Sequence, residues 1–207
     1  MRLLAAALSS IGGYVDAVGY LSLGGFFVSF MSGNSTRVGV GLGTGSIAAL
    51  IALGLIATFV AGVAAGSWTA RRASGRAVLR LVAAALLLAA ATASVHESNF
   101  AFALAAFAMG AVNSTFAHEG GLPVGLTYMT GTLVRIGQAL AAIPSGGDRL
   151  DWVPYALHWL ALIAGATIGT LAEQRLGLGA LWIAAVAMTA LALAAPLRRA
   201  ERGSTDV

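Results

Sequence analysis

The chain has no cysteine, and its 12 basic residues are all arginine, so it has no lysine either. Without cysteine, disulfides, thiol chemistry and thiolate metal sites are excluded. Charge is scarce as well. Charged residues make up 10% of the 207 positions, against about 25% in a soluble domain. So few polar groups cannot cover a globular surface. With 58% hydrophobic residues and a mean hydropathy of +0.87, the chain belongs in a bilayer. The formal charge of +4 is not read as nucleic-acid binding, because most arginines sit at the ends of apolar segments, where they orient a membrane protein. Abundant Ala and Arg without Lys also fits a bias of genome composition.

A spanning helix needs about 20 mostly apolar residues. Six stretches qualify: 3–24, 47–70, 77–95, 100–118, 153–173 and 178–197. The first begins with MRLLAAALSS, which faintly resembles a signal peptide, but GGYVDAVGYL continues the apolar run and a first membrane helix is expected instead. Arg2, Arg71, Arg72, Arg76, Arg80, Arg149, Arg198, Arg199 and Arg202 can all lie in the cytoplasm, with Arg175 outside. Both termini are then cytoplasmic, in the inner membrane of a bacterium. Trp68, Trp152 and Trp182 fall near span ends, where interfacial aromatics belong.

Two segments remain, 26–45 and 122–146, apolar but broken by glycine and small hydroxyl residues. Six spans require each to return to the side it entered from, the first dipping from outside and the second from inside. If both crossed fully there would be eight spans; their polarity argues against it.

The two segments carry copies of one motif, FMSGNSTRVG at 30–39 and YMTGTLVRIG at 128–137, with Arg37 and Arg135 in the same place. GYVD at 13–16 matches GAVN at 110–113, and AGVAAGS at 61–67 matches AGATIGT at 164–170. The three matches are collinear. They divide one integral membrane domain into residues 1–98 and 99–207, the latter ending in a short cytoplasmic tail. Three spans per half invert the second half relative to the first. Secondary transporters share this arrangement, with broken segments meeting around a midplane site. GGYVDAVGYL, FFVSFMSGNSTRVG and VGLTYMTGTLVRIGQ together resemble the YoaK-like family of small bacterial integral membrane proteins. The resemblance covers nearly the whole chain and implies a multi-span membrane protein; it implies little about activity, because the family is a domain of unknown function.

The residues that could carry chemistry are few. A charged side chain deep in a bilayer costs at least about 2.5 kcal/mol and usually faces a cavity or a partner. Arg37 and Arg135 are therefore expected to hold a small anion, or else to snorkel and tie down loop carbonyls. If the motifs open short helices, Ser32 and Thr130 are natural N-caps. Free N–H groups would then add positive character beside the arginines. Gly33 and Gly131 would allow close approach. Ser32, Gly33, Asn34, Ser35, Thr36 and Arg37, with Tyr128, Thr130, Gly131, Thr132 and Arg135, form the expected substrate site. Asp16 and its neutral counterpart Asn113 are expected to support it or couple an ion, with Asp16 a candidate partner of Arg37. His158 joins them as a candidate switch, though a histidine beside the Gly165 and Gly169 stripe is more simply explained by helix packing.

Other patterns fail. NST at 34–36 and 113–115 lies in membrane segments, GVGLG at 39–43 lacks a strand–helix unit, and HE at 118–119 lacks a second histidine. No catalytic set, metal site or cofactor is expected. The reading is an all-α membrane bundle of six spans and two re-entrant segments, acting as a permease or channel for a small, anionic solute. Its partners would be that solute and membrane lipids, not nucleic acid, with self-association into a homo-oligomer left open. An intramembrane enzyme acting on a lipid or headgroup substrate, and a structural or regulatory membrane protein, are the alternatives.

Overall fold

The computed structural model describes residues 2–95, 99–116 and 128–195. Residues 96–98, the start of the second interrupted segment at 122–127, the last residues of the stretches 100–118 and 178–197, and the tail arginines Arg198, Arg199 and Arg202 lie outside them. All regular structure among the described residues is helical. That follows from composition and solvent together: in hydrocarbon every backbone N–H and C=O must be satisfied within its own segment, and alanine and leucine lose little entropy in doing so.

The helices are α1 Arg2–Ser22, α2 Met31–Thr44, α3 Ala48–Arg72, α4 Gly75–Val95, α5 Asn99–Val112, α6 Met129–Ala142, α7 Val153–Leu176 and α8 Ala180–Ala194. Single 3₁₀ turns at Ile143–Ser145 and Gly177–Gly179 follow α6 and α7. Among the described residues, four stretches are long and apolar enough to cross a membrane: Leu3–Ser22, Ala48–Arg72, Gly75–Val95 and Val153–Ala194. The last contains both α7 and α8, and α5 is a shorter apolar helix.

Helix α4 lies at the centre, burying Val78, Leu79, Val82, Leu86, Ala89 and Ala90 against α5 and α8. Its two ends fix the direction of α8. Arg76 donates Nε and Nη2 to the Ala195 carbonyl at 3.1 and 2.6 Å. At the opposite end, Trp182 donates Nε1 to Ser94 Oγ at 3.0 Å. The two helices are therefore antiparallel.

Two helix pairs flank this centre, and each joins residues distant in sequence. On α7, Gly165 and Gly169 meet the backbone of Ser10 and Tyr14 on α1, while Gly13 meets Leu162. On α3, Gly62 and Gly66 meet the backbone of Phe107 and Ala111 on α5, while Gly110 meets Phe59. Residue numbers rise together along both contacts, so α1 runs parallel to α7 and α3 parallel to α5. Tyr14 closes the first pair onto α8 with a hydrogen bond from Oη to the Ala180 carbonyl at 2.9 Å. Ser67 Oγ and Ser114 Oγ, 2.9 Å apart, sit at the end of the second. Removing the side chain at such positions lets backbones approach closely, and dispersion holds them where lipid gives no hydrophobic drive.

Candidate functional site

Helices α2 and α6 are the two motif helices. Both have 14 residues and begin at the same motif position, Met31 and Met129. The preceding residues share one backbone conformation, φ −84° and ψ 75° at Phe30 and φ −86° and ψ 71° at Tyr128. Ser32 and Thr130 thus fall inside the first turn and are not the N-caps the sequence suggested. The helix starts earlier because the upstream chain, not a motif hydroxyl, satisfies its entry.

That entry is built by Asp16. Its Oδ1 accepts hydrogen bonds from the backbone amides of Val28 at 2.7 Å and Ser29 at 2.6 Å, and Oδ2 accepts from Ser29 Oγ at 2.5 Å. Asp16 lies six residues before the end of α1 at Ser22, about 9 Å back along the helix at about 1.5 Å per residue. The chain leaving α1 therefore folds back beside it, with Val28 packed on Gly19. Asn34, fully buried, holds the same segment through two further bonds. Its Nδ2 donates to the Phe27 carbonyl at 2.7 Å, and its Oδ1 accepts from the Phe27 amide at 3.0 Å. A carboxylate and an amide thus satisfy backbone groups that an interrupted helix would leave bare in the membrane.

Arg37 does not pair with Asp16, whose hydrogen-bond partners are the serine and these loop amides. Its guanidinium stacks on Phe26, with Cζ 4.4 Å from the ring centroid. It also presses on Gly25, where an added Cβ would strike Nη2. Gly25 has φ +92° and donates its amide to the Tyr20 carbonyl at 2.7 Å, next to the end of α1. Two constraints therefore coincide at Gly25, a left-handed backbone and a guanidinium in van der Waals contact. The N–H groups of Arg37 find no acceptor among the described residues, and the same holds for Arg135, which is exposed.

The remaining site residues divide by role. Ser35 Oγ donates to the Met31 carbonyl at 2.9 Å and Thr36 Oγ1 to the Ser32 carbonyl at 3.2 Å. Both hydroxyls are exposed and bonded back along their own helix, as hydroxyls in apolar helices commonly are. Thr132 is buried and takes the place in α6 that Asn34 takes in α2. Gly33 carries the rings of Phe27 and Phe30 against its backbone; Gly131 is half-buried, and Tyr128 and Thr130 are exposed. Asn113 donates Nδ2 to the Met109 carbonyl at 2.8 Å. Helices α2 and α6 pack on α3 and α7 respectively and do not touch each other.

His158 and Ser9 form a contact that spacing could not reveal. Ser9 Oγ lies 2.8 Å from His158 Nε2, across the α1 and α7 crossing. A serine beside an imidazole is the first requirement of nucleophilic catalysis, but Ser9 is 1% exposed and so is not presented to a substrate. The pair fastens the crossing. The aromatic setting of Arg37 was also missed, although the run GGFFVSF at 24–30 was there to be read.

Comparison with known proteins agrees with a membrane-embedded chain. The family described as "Protein of unknown function (DUF1275)" matches residues 4–194. The UPF0700 transmembrane protein RA0705 of Rhizobium meliloti (strain 1021) is 41% identical over 199 residues, covering 94% of this chain and 87% of that protein. No solved structure matches. The likeness to a YoaK-like membrane family, first read from the two motifs, therefore holds, and the chain belongs to the DUF1275 family of proteins of unknown function.

Proposed function

We propose that this protein is a permease or channel for a small anionic solute, built from two inverted three-span repeats in the bacterial inner membrane. The observation that carries the proposal is the matched pair of short helices, α2 and α6. Each starts at the same motif residue with the same preceding backbone, and each bears an arginine without an acceptor among the described residues. A cation left unsatisfied inside a membrane segment is expected to serve a ligand or an ion path.

Helix directions support the inverted topology. The α4 and α8 pair is antiparallel and the turn after Arg72 is short, so α3 opposes α4. Helix α7 turns into α8 through Gly177–Gly179 and opposes it, and α1 follows α7. Helices α1 and α3 therefore run in opposite directions, and the chain between them begins and ends on one side. A single full crossing by α2 does not fit that parity. It would also put Arg2 on the side opposite Arg71–Arg80, against their charge. The glycine crossings repeat in both halves, with Ser10, Gly13 and Tyr14 matching Phe107, Gly110 and Ala111.

A second reading, a membrane protein that passes no solute, is favoured by one observation: α2 and α6 do not meet within the chain, so one central site is not assembled from both motifs. The test is uptake by liposomes carrying the purified protein, under proton and sodium gradients, across a panel of small anions. Arg37→Gln and Arg135→Gln should fold and lose uptake. Lysine should restore part of it, because it keeps charge but not the planar fork of donors. Uptake no higher than in empty liposomes for every anion would refute the permease and favour the second reading.

A further inference from the structure

The return segment that carries Arg37 is also the most aromatic part of the chain, with Tyr20, Phe26, Phe27 and Phe30 within a few residues of one another. The fold gathers these rings. Tyr20 and Phe27 have centroids 5.1 Å apart, and Phe27 and Phe30 meet edge to face at 5.1 Å. Phe26 is buried beneath the guanidinium, whereas Tyr20 and Phe30 are 45% and 38% exposed. Gly25 joins the two groups. An added Cβ there would strike Arg37 Nη2 and lie 3.6 Å from Tyr20 Cε2, so the cation and the first ring of the row flank one glycine.

This arrangement selects a chemistry. With Phe26 under Arg37 Cζ and Nη2 beside Gly25, the guanidinium N–H groups still have no acceptor among the described residues. Their edge suits two oxygens of a planar acid group. A small hydrated anion would use that edge and leave the rings idle. A molecule with a carboxylate at one end and a flat apolar body would use both, because offset and edge contacts between rings add to simple burial. The position fits an amphipathic ligand, since Gly25 follows the end of α1 and the site lies toward the mouth of the returning segment.

We propose that Arg37 and the row of Tyr20, Phe27 and Phe30 bind an aromatic monocarboxylate, its carboxylate on the guanidinium and its ring against Tyr20. This rests on the anion-site reading above and narrows its substrate class.

Titration calorimetry on the full chain in a neutral detergent, with benzoate, acetate and inorganic phosphate as probes, tests it. Benzoate should bind and acetate should bind at least about tenfold more weakly, of the order expected for burying and stacking one ring. Arg37→Gln should abolish benzoate binding. Tyr20→Leu, at an exposed position that does not endanger folding, should weaken benzoate about 2- to 12-fold and leave acetate unchanged. Equal binding of all three probes would overturn the aromatic class while the anion site stands. Binding of none would overturn both. The same titration in nanodiscs of phosphatidylglycerol and of phosphatidylcholine separates a dissolved acid from a headgroup. Stabilisation by phosphatidylglycerol that is lost in Arg37→Gln, without benzoate binding, would assign the guanidinium to lipid and overturn the proposal.

Discussion

Substituting alanine for glycine at the two crossings should act in the opposite direction from the same change on the outer helices. Small residues are generally exchangeable where membrane helices cross, so alanine would ordinarily be expected to be milder than leucine. The geometry here is tighter than that. A Cβ at Gly66 would stand 2.6 Å from the Ala111 carbonyl oxygen, and one at Gly169 would stand 2.5 Å from that of Tyr14. Ordinary carbon-to-carbonyl contacts begin at about 3.3 Å, so each pair must part by about 0.7 Å or more. The obstacle is backbone, which cannot rotate aside. Overpacking of this kind costs about 1–3 kcal/mol, and at about 2–4 °C per kcal/mol for a chain of this length the melting point should fall by about 2–12 °C. Gly39 on α2 and Gly137 on α6 have open space where a Cβ would go. There alanine should be neutral or raise stability by up to about 1 kcal/mol, through helix propensity alone. The assay is thermal melting of the four purified single variants in one detergent. If Gly66→Ala and Gly169→Ala melt no lower than Gly39→Ala and Gly137→Ala, the close crossings are wrong.

The partners of Asp16 give a second prediction. Asp16→Asn keeps an oxygen for the Val28 and Ser29 amides but replaces Oδ2, the acceptor of Ser29 Oγ, by an amide donor, and should cost about 1–3 kcal/mol. Arg37→Gln should cost less, of the order of the roughly 0.5–2 kcal/mol of its stacking on Phe26. Because the two side chains do not pair, the double variant should be additive within about 0.5 kcal/mol, and recovery of yield in the double variant would restore an ion pair between them. Topology gives a third: labels at Ser46 and at Gly146 should report opposite sides of the membrane, outside and inside, and the same side for both would refute the inverted repeat.

Much of the bundle was legible in the residues themselves. The apolar stretches 47–70, 77–95 and 153–173 agree closely with α3, α4 and α7, because helix length and hydropathy answer to bilayer thickness alone. The motif copies likewise marked the segments 26–45 and 122–146, within which α2 and α6 lie. Their caps were misread for a physical reason. Ser32 is a good capping residue in water, where a hydroxyl competes for the first free amide, but here the chain doubles back along α1. Asp16, 15 residues from Met31, is then near enough to satisfy the entry first. Apart from the Ser29 hydroxyl, its partners are main-chain amides, which every residue but proline carries and no sequence distinguishes. The same holds for Arg37, whose neighbours are a ring and a glycine rather than an opposite charge.

The pairing of helices was the least legible feature, and the reason lies in what the crossings are made of. Gly62 and Gly66 could have met any backbone, as could Gly165 and Gly169, because a glycine face has no side chain to choose its partner. What decides is the path of the chain. The short turn at Ala73 and Ser74 makes α3 and α4 neighbours that run in opposite directions, yet the glycine face of α3 goes to α5, two helices on, and that of α7 goes back to α1. Each tight crossing therefore takes one helix from residues 1–98 and one from 99–207. Neither half can bury its own glycine face by itself. The repeat seen in the sequence is thus a repeat of surfaces that complete each other, and this is why Ser9 and His158, separated by most of the chain, end within 2.8 Å.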